Sequence, residues 1–341
     1  MFLILYIRTR LSFLNETPTA ESRKLHTEDV TRIGGIIFFS SLLILINVSD
    51  VYLRNILIYG FLFLILGLFE DVYRNISKYF RLLILFSICS LFVDLNDFSI
   101  NDFDNYYLNL AFNSHDNIKI LFSIFGILIM INGFNFIDGL NGLLLGFALI
   151  VLTTFAIYSM QNSSEITIVI YGILIPILIL FIVNFFGGVI LSGDGGSYYL
   201  GFILGSLSIL ISNYGIIDSF KIACIIFYPV MEFVCSVMRR LINFSNPLRP
   251  DGLHLHQLLF RVMLSKFENK LTLLTPKNIN SLSSLIILIS ISILIAIHYR
   301  LSISLISDTV IFTVFCSLYL LAYNLLISYC HKRDLFKKNI R

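Results

Sequence analysis

The chain has 341 residues, 57% of them hydrophobic and 13% charged, with a mean hydropathy of +0.88. Soluble domains run nearer half apolar and a quarter charged, so this composition excludes a soluble cytosolic enzyme and a disordered chain. The 24 Lys and Arg nearly balance 21 Asp and Glu, which leaves no broad basic surface for nucleic acid.

Apolar runs fall at about 1–14, 33–49, 53–69, 79–93, 119–136, 142–160, 166–190, 198–212, 217–237, 283–299 and 309–330. A bilayer-crossing helix needs about 20 apolar residues, and no run shows the period of two that a barrel strand requires. The expected fold is all-α: a polytopic integral membrane protein with ten full transmembrane helices plus a short first one. Residues 1–341 then form a single transmembrane domain, with 239–281 as its longest cytoplasmic loop. The run 1–14 reads as an incomplete helix and not as a signal peptide. Arg8 and Arg10 interrupt it, no small-residue cleavage site follows, and it rises about 21 Å against a hydrocarbon core near 30 Å. The cysteines, Cys89, Cys224, Cys235, Cys316 and Cys330, form no C-x-x-C pair and read as small packing residues. Trp is absent, so Tyr must supply any interfacial aromatic belt.

Charge sets the expected orientation. The connections after the first, third and ninth runs, with the C-terminal tail, hold 20 of the 24 basic residues, leaving only Arg54, Lys119, Lys221 and Arg300 opposite. By the positive-inside rule the first set is cytoplasmic. The segment from Asp94 to Asn117 carries five Asp and no Lys or Arg, and belongs outside. Alternation then puts the connections around Asp138 and Asp194 on the cytoplasmic face with the other polar clusters.

In chain order, the first cluster is Arg23-Lys24-Leu25-His26 followed by Arg32-Ile33-Gly34-Gly35, which alone reads as a basic cytoplasmic loop. Next, Glu70-Asp71 ends the third run. Adjacent carboxylates repel unless a donor or cation answers them, and the C-terminal end of a helix disfavours anions. A solvated helix end is the alternative. In Asn132-Gly-Phe-Asn135-Phe-Ile-Asp138-Gly-Leu-Asn141-Gly142 four polar residues recur every third position, and the glycines permit close approach of a ligand or another backbone. In Ser192-Gly-Asp194-Gly-Gly-Ser197, Ser197 suits an N-cap, exposed N–H groups suit an anion, and Asp194 suits a divalent cation beside a phosphate. A plain tight turn is the alternative. The longest loop holds Arg239-Arg240 and then Asp251-Gly252-Leu-His254-Leu-His256-Gln257. The two histidines share one side of an extended segment and suit a diphosphate or its metal, while the arginines read more readily as positive-inside residues partnered by anionic lipid.

Carboxylates, glycines and cations on one face suit metal-assisted chemistry on phosphate. These motifs, in this order, resemble the polyprenyl-phosphate N-acetylhexosamine-1-phosphate transferase family. That family includes the phospho-N-acetylmuramoyl-pentapeptide transferases and the enzymes that initiate O-antigen, enterobacterial common antigen and teichoic acid synthesis. The likeness runs from about Arg23 to Leu259. It also takes in Asn184, nine residues before Gly193, and Pro229 and Glu232 before Arg239-Arg240. It implies that a UDP-activated amino sugar gives its sugar-1-phosphate to polyprenyl phosphate at the cytoplasmic face of the inner membrane, releasing UMP.

By the same resemblance Asp194 is the ligand of Mg²⁺, with Mn²⁺ as the alternative ion, and Asp71 engages the lipid phosphate. Asp138, Asn135 and Asn184 face the nucleotide, and His254 and His256 close over phosphate or sugar. Lys24, Glu70, Asn141, Arg239 and Arg240 complete the substrate-binding set. Four residues depart from the family pattern: Glu70 and Asn141 replace Asp, Gly252 replaces Arg, and Gln257 replaces a third His. The absence of three consecutive histidines points to the cell-surface-polysaccharide branch. Two rival readings are a secondary transporter, for which Pro176 and Pro229 would interrupt helices, and a transferase-like scaffold made inactive by the four departures.

Overall fold

The computed structural model describes residues 15–16, 30–32, 34–73, 76–113, 116–244, 252–267, 275–301 and 306–336. The expected short helix over 1–14, together with Lys24 and Asp251, lies outside them. Two short strands, β1 (Asn15–Glu16) and β2 (Val30–Thr31), pair antiparallel. A 3-10 segment follows at Gly34–Asn47. The helices are α1 (Val51–Tyr73), α2 (Lys78–Leu95), α3 (Tyr106–Asn113), α4 (Asp116–Ile137), α5 (Leu143–Ser159), α6 (Ser164–Gly187) and α7 (Gly193–Asn213). They continue with α8 (Ser219–Ile225), α9 (Phe227–Ile242), α10 (Leu255–Phe267), α11 (Pro276–Leu301) and α12 (Asp308–Lys332). The chain is an all-α, multi-pass membrane protein.

Each apolar run between 33 and 330 contains one of these helical elements, but the count of ten full spans is not reached. Among the described residues six helices are long and apolar enough to cross a membrane: α1, α4, α6, α7, α11 and α12. A seventh arises if α8 and α9 count as one span bent by 77°. The rest fall short for separate reasons. The 33–49 run winds as 3-10 turns, α5 has 17 residues, and α2 carries Lys78, Arg81 and Asp94. Pro229 explains the bend: it has no N–H for the carbonyl of Ile225, and the helix restarts just ahead of it. Pro176, by contrast, lies inside the continuous α6 and interrupts nothing.

Helix α7 is the axis of the bundle. After Asp194 it has no charged residue, and a helix without a polar face must be enclosed by others. It packs chiefly on α1 and α4. Between helices in lipid, packing and hydrogen bonds do the holding, since lipid tails are as apolar as leucine. Phe63 and Phe92 both meet Phe202 of α7, at 4.5 and 5.0 Å between ring centroids, and Tyr199 bonds Ser41 at 2.9 Å. The buried stripe of α1 runs through Leu57, Gly60, Leu64 and Gly67 into Glu70 and Asp71. The face that packs against α7 therefore carries the two carboxylates to its start.

Candidate active site

At the start of α7 the puzzle of Glu70-Asp71 is answered. Asp71, 2% exposed, accepts the N–H of Asp194 on one oxygen and the N–H of Gly195 on the other, both at 3.1 Å. A carboxylate poorly placed at the C-terminal end of α1 thus sits at the N-terminal end of α7, where N–H groups lack intrahelical partners. Gly193 makes this possible. Its φ is +70°, and a Cβ there would stand 2.5 Å from Asp71 Oδ2 and 2.8 Å from the carbonyl oxygen of Arg32.

Arg32 reaches the site because the chain around it lies along residues 189–192. Thr31 N–H donates to the Val189 carbonyl, and Leu191 N–H returns to the Thr31 carbonyl, each at 2.9 Å. Glu70 accepts the Tyr198 hydroxyl at 2.6 Å and pairs with Arg81 at 3.8 Å. Arg32, Glu70, Asp71, Ile76, Arg81 and Asp194 line a cavity of about 200 Å³. Sequence reading gave Arg32 a place in the entry motif but no role at the site, and counted Arg81 only among basic loops. The available signal was Arg81 within the first turn of a helix that opens an apolar run, a costly place for a charge without an anion beside it.

The every-third pattern from Asn132 to Asn141 divides when folded. Asn132 bonds the Leu128 carbonyl of its own helix at 2.8 Å. Asn135 donates to Asp194 Oδ1 at 2.6 Å, and Asp138 Oδ2 lies 3.4 Å from the Ser197 hydroxyl. Asn141 turns away, taking Asn280 Oδ1 on its backbone N–H at 2.7 Å and reaching Ser281 with its side chain at 3.4 Å. Asn184 accepts the N–H of Gly142 and donates to the Ile190 carbonyl at 2.6 Å, so both ends of its amide hold turns together. Burial pushes the Asp138 carboxyl up to about 7, with Arg32 pulling the other way. Ser197 is not the N-cap. Helix α7 begins at Gly193, and the Ser197 hydroxyl lies one turn in, 2.8 Å from the Gly193 carbonyl oxygen.

Behind residues 136–139 stands the second cluster. The His254 ring packs 5.0 Å from Phe136 and 5.5 Å from His256, and Arg240 lies over Phe136 at 5.8 Å. Burial pushes the fully enclosed His256 toward its neutral form. Arg239 instead lies over Tyr323 of α12 at 5.2 Å. Glu70, Asp71, Asn135, Asp138 and Asp194 are therefore brought together, with His254, His256 and Arg240 adjoining. Asn141, Asn184 and Arg239 are directed elsewhere, and Lys24 lies outside the described residues.

Among the described residues no three His, Cys, Asp or Glu side chains converge closely enough to hold a metal alone. Mg²⁺ keeps several waters and takes one or two carboxylates together with substrate phosphates. The oxygen-only donors Asp194, Asn135 and Asp138 beside a phosphate-sized cavity fit that kind of ion and do not fit a closed structural site.

A bundle that gathers carboxylates and guanidinium groups at one end of its central helix suits chemistry on phosphate, and comparison with known proteins supports a membrane sugar-phosphate transferase. A family model described as "Glycosyl transferase family 4" matches residues 53–212. The "Probable undecaprenyl-phosphate N-acetylglucosaminyl 1-phosphate transferase" of Bacillus subtilis (strain 168) is 25% identical over 277 residues, 78% of this chain and 75% of its own. The "Undecaprenyl-phosphate alpha-N-acetylglucosaminyl 1-phosphate transferase" of Thermotoga maritima is 26% identical over 258 residues, 75% of this chain and 76% of its own. A "Phospho-N-acetylmuramoyl-pentapeptide-transferase" of Dictyoglomus turgidum is 32% identical over 183 residues, 52% of this chain and 58% of its own. The chain is thus similar to polyprenyl-phosphate N-acetylglucosamine-1-phosphate transferases over about three quarters of its length.

Proposed function

We propose that the chain transfers an N-acetylhexosamine-1-phosphate from a UDP-sugar to a polyprenyl phosphate such as undecaprenyl phosphate. UMP is released, and the product is the first lipid-diphosphate sugar of a cell-envelope polysaccharide. The observation that carries this reading is Asp71 held on the first N–H groups of α7, beside a cavity that also takes Arg32 and Arg81.

In the reaction an oxygen of the lipid phosphate bonds to the sugar-bearing phosphorus. The bond from that phosphorus to the bridging oxygen breaks, and UMP leaves with that oxygen. Both reactants are anions, so neutralising and aligning charge matters more than covalent help. Arg32 and Arg81 draw the lipid phosphate into the cavity, where Asp71 engages it. Asn135 and Asp138 face the donor diphosphate, and His254, His256 and Arg240 close over phosphate or sugar. Mg²⁺, or Mn²⁺ in its place, held at Asp194 would offset the diphosphate charge. The site faces the cytoplasm, on the split of basic residues, where UDP-sugars are present.

Two relatives carry N-acetylglucosaminyl in their names, which makes UDP-N-acetylglucosamine the first donor to supply. The test is UMP release by purified protein with that donor, undecaprenyl phosphate and Mg²⁺, with mass spectrometry of the lipid product. The expected product is a lipid diphosphate carrying one amino sugar. No UMP from any UDP-N-acetylhexosamine, with the protein folded, would overturn the reading.

A further inference from the structure

Helix α9 carries a carboxylate that the reaction scheme leaves unused. Glu232 is 1% exposed and lies at the centre of a knot of donors. Its Oε2 is 3.0 Å from His254 Nδ1. Its Oε1 accepts the Leu255 N–H and the Tyr228 hydroxyl, each at 3.1 Å, and lies 3.5 Å from His256 Nδ1. Leu255 is the first residue of α10, so the same carboxylate starts that helix, bonds the ring before Leu255 and faces the ring after it. Burying a carboxylate is costly, and an apolar side chain of equal volume would serve packing alone as well or better. What Glu232 supplies that an apolar residue cannot is a fixed direction for two imidazoles.

We propose that Glu232 is a positioning residue, which holds the His254 ring by Nδ1 and faces Nδ1 of His256, and so leaves Nε2 as the atom each presents away from α9. A ring that gives its Nδ1–H to a carboxylate is fixed in tautomer and orientation. For His256 the direction is set by a close approach to α4's end. Its Nε2 lies 2.8 Å from where a Cβ on Gly139 would stand, against the segment that carries Asp138. For His254 the ring rests on Phe136, one residue from Asn135. Glu232 thereby ties α9 and α10 to the end of α4 without touching substrate. Its part in the reaction rests on the transferase reading above; its hold on the rings does not.

The two are tested separately. In protein labelled with ¹⁵N-histidine and assigned with His254→Gln and His256→Gln, His254 should show a protonated Nδ1 and a bare Nε2. In Glu232→Gln the amide oxygen is needed by the Leu255 N–H, which leaves its NH₂ facing His254. The ring should then accept at Nδ1 and carry its proton on Nε2. UMP release should fall by about 10- to 100-fold in kcat, the cost typical of removing such a supporting partner, with KM for the UDP-sugar little changed. In the His254→Gln background the same change should add little, because the two residues act as one unit. Losses that multiply, or an unshifted tautomer, would overturn the proposal. A wild-type His254 protonated on Nε2 would overturn it without any variant. Wild type that releases no UMP would sink the transferase reading, and the ¹⁵N signals would then decide the placement of the rings alone.

Discussion

Asp194 combines three contacts that a single substitution can separate. Its backbone N–H goes to Asp71, its Oδ1 takes the Asn135 amide, and its charge remains for a cation. Asp194→Asn keeps an oxygen for Asn135 and removes the charge. The variant should fold normally and lose at least about a hundredfold in UMP release, the scale of one lost electrostatic stabiliser. UMP formation against Mg²⁺ concentration checks this, and near-normal turnover would refute the metal assignment. Asp138 gives a second test, with a definite sign. Its folded pKa of about 7 lies above the ordinary 3.8, so folding costs stability that is absent at low pH and fully present above pH 7. A cation favours the carboxylate, so Mg²⁺ binding should release protons near pH 6 and none near pH 9. Calorimetry in two buffers of different ionisation heat measures this, and Asp138→Asn should reduce it. At this scale the sequence showed Asp194, Asp138 and Asp71 through motif and spacing. It gave no site role to Arg32 and Arg81, whose places depend on pairing with residues 189–191 and on how α2 packs beside α1. It also hid that Asn141 and Asn184 face inward to backbone and neighbouring amides, because every-third spacing does not say where a helix stops.

At the scale of elements, the site depends on where helices end more than on their interiors. Helix α4 stops at Ile137, and the turn beyond it presents Asp138 to α7 and Gly139 to α10. The glycine there is required by contact and not by backbone conformation, since its φ is not among the positive ones. Gly139→Ala should therefore leave the fold intact and push the enclosed His256 ring aside. Turnover should drop about tenfold while the melting temperature changes by only a few degrees, which is the scale of about 1 kcal/mol. Unaltered kcat in that variant would mean the ring position does not matter. Apolar runs made α1, α4, α6, α7, α11 and α12 legible, since long uninterrupted apolarity has few other uses. Helices α3 and α10 were not legible, because each is short and lies within a polar connection. The break at Ile226 was signalled by Pro229, whereas Pro176, with the same chemistry, left α6 continuous. The difference lies in what surrounds each proline, which a single sequence does not display.

The whole molecule has two unlike ends, and this asymmetry carries the last prediction. One end holds Asp71, Asp138, Asp194 and the histidines. The other is tied by neutral and acidic groups: Asn213 receives the Asn101 N–H and donates to the Ser99 carbonyl, and Ser219 donates to the Asp102 carbonyl. Between them the apolar core runs without a break along α7. Basic residues crowd the first end, as an orientation with that end in the cytoplasm requires. In a variant lacking the five native cysteines, Tyr107→Cys on α3 and Lys266→Cys on α10 provide exposed reporters, one at each end. An impermeant maleimide applied to intact cells should label position 107 and reach position 266 only after the membrane is opened. Because both positions are exposed, failure to label from outside reports sidedness and not burial. The reverse pattern would place the carboxylates away from nucleotide sugars. It would remove the UDP-sugar reaction while leaving the fold and the hold of Glu232 on His254 as they are.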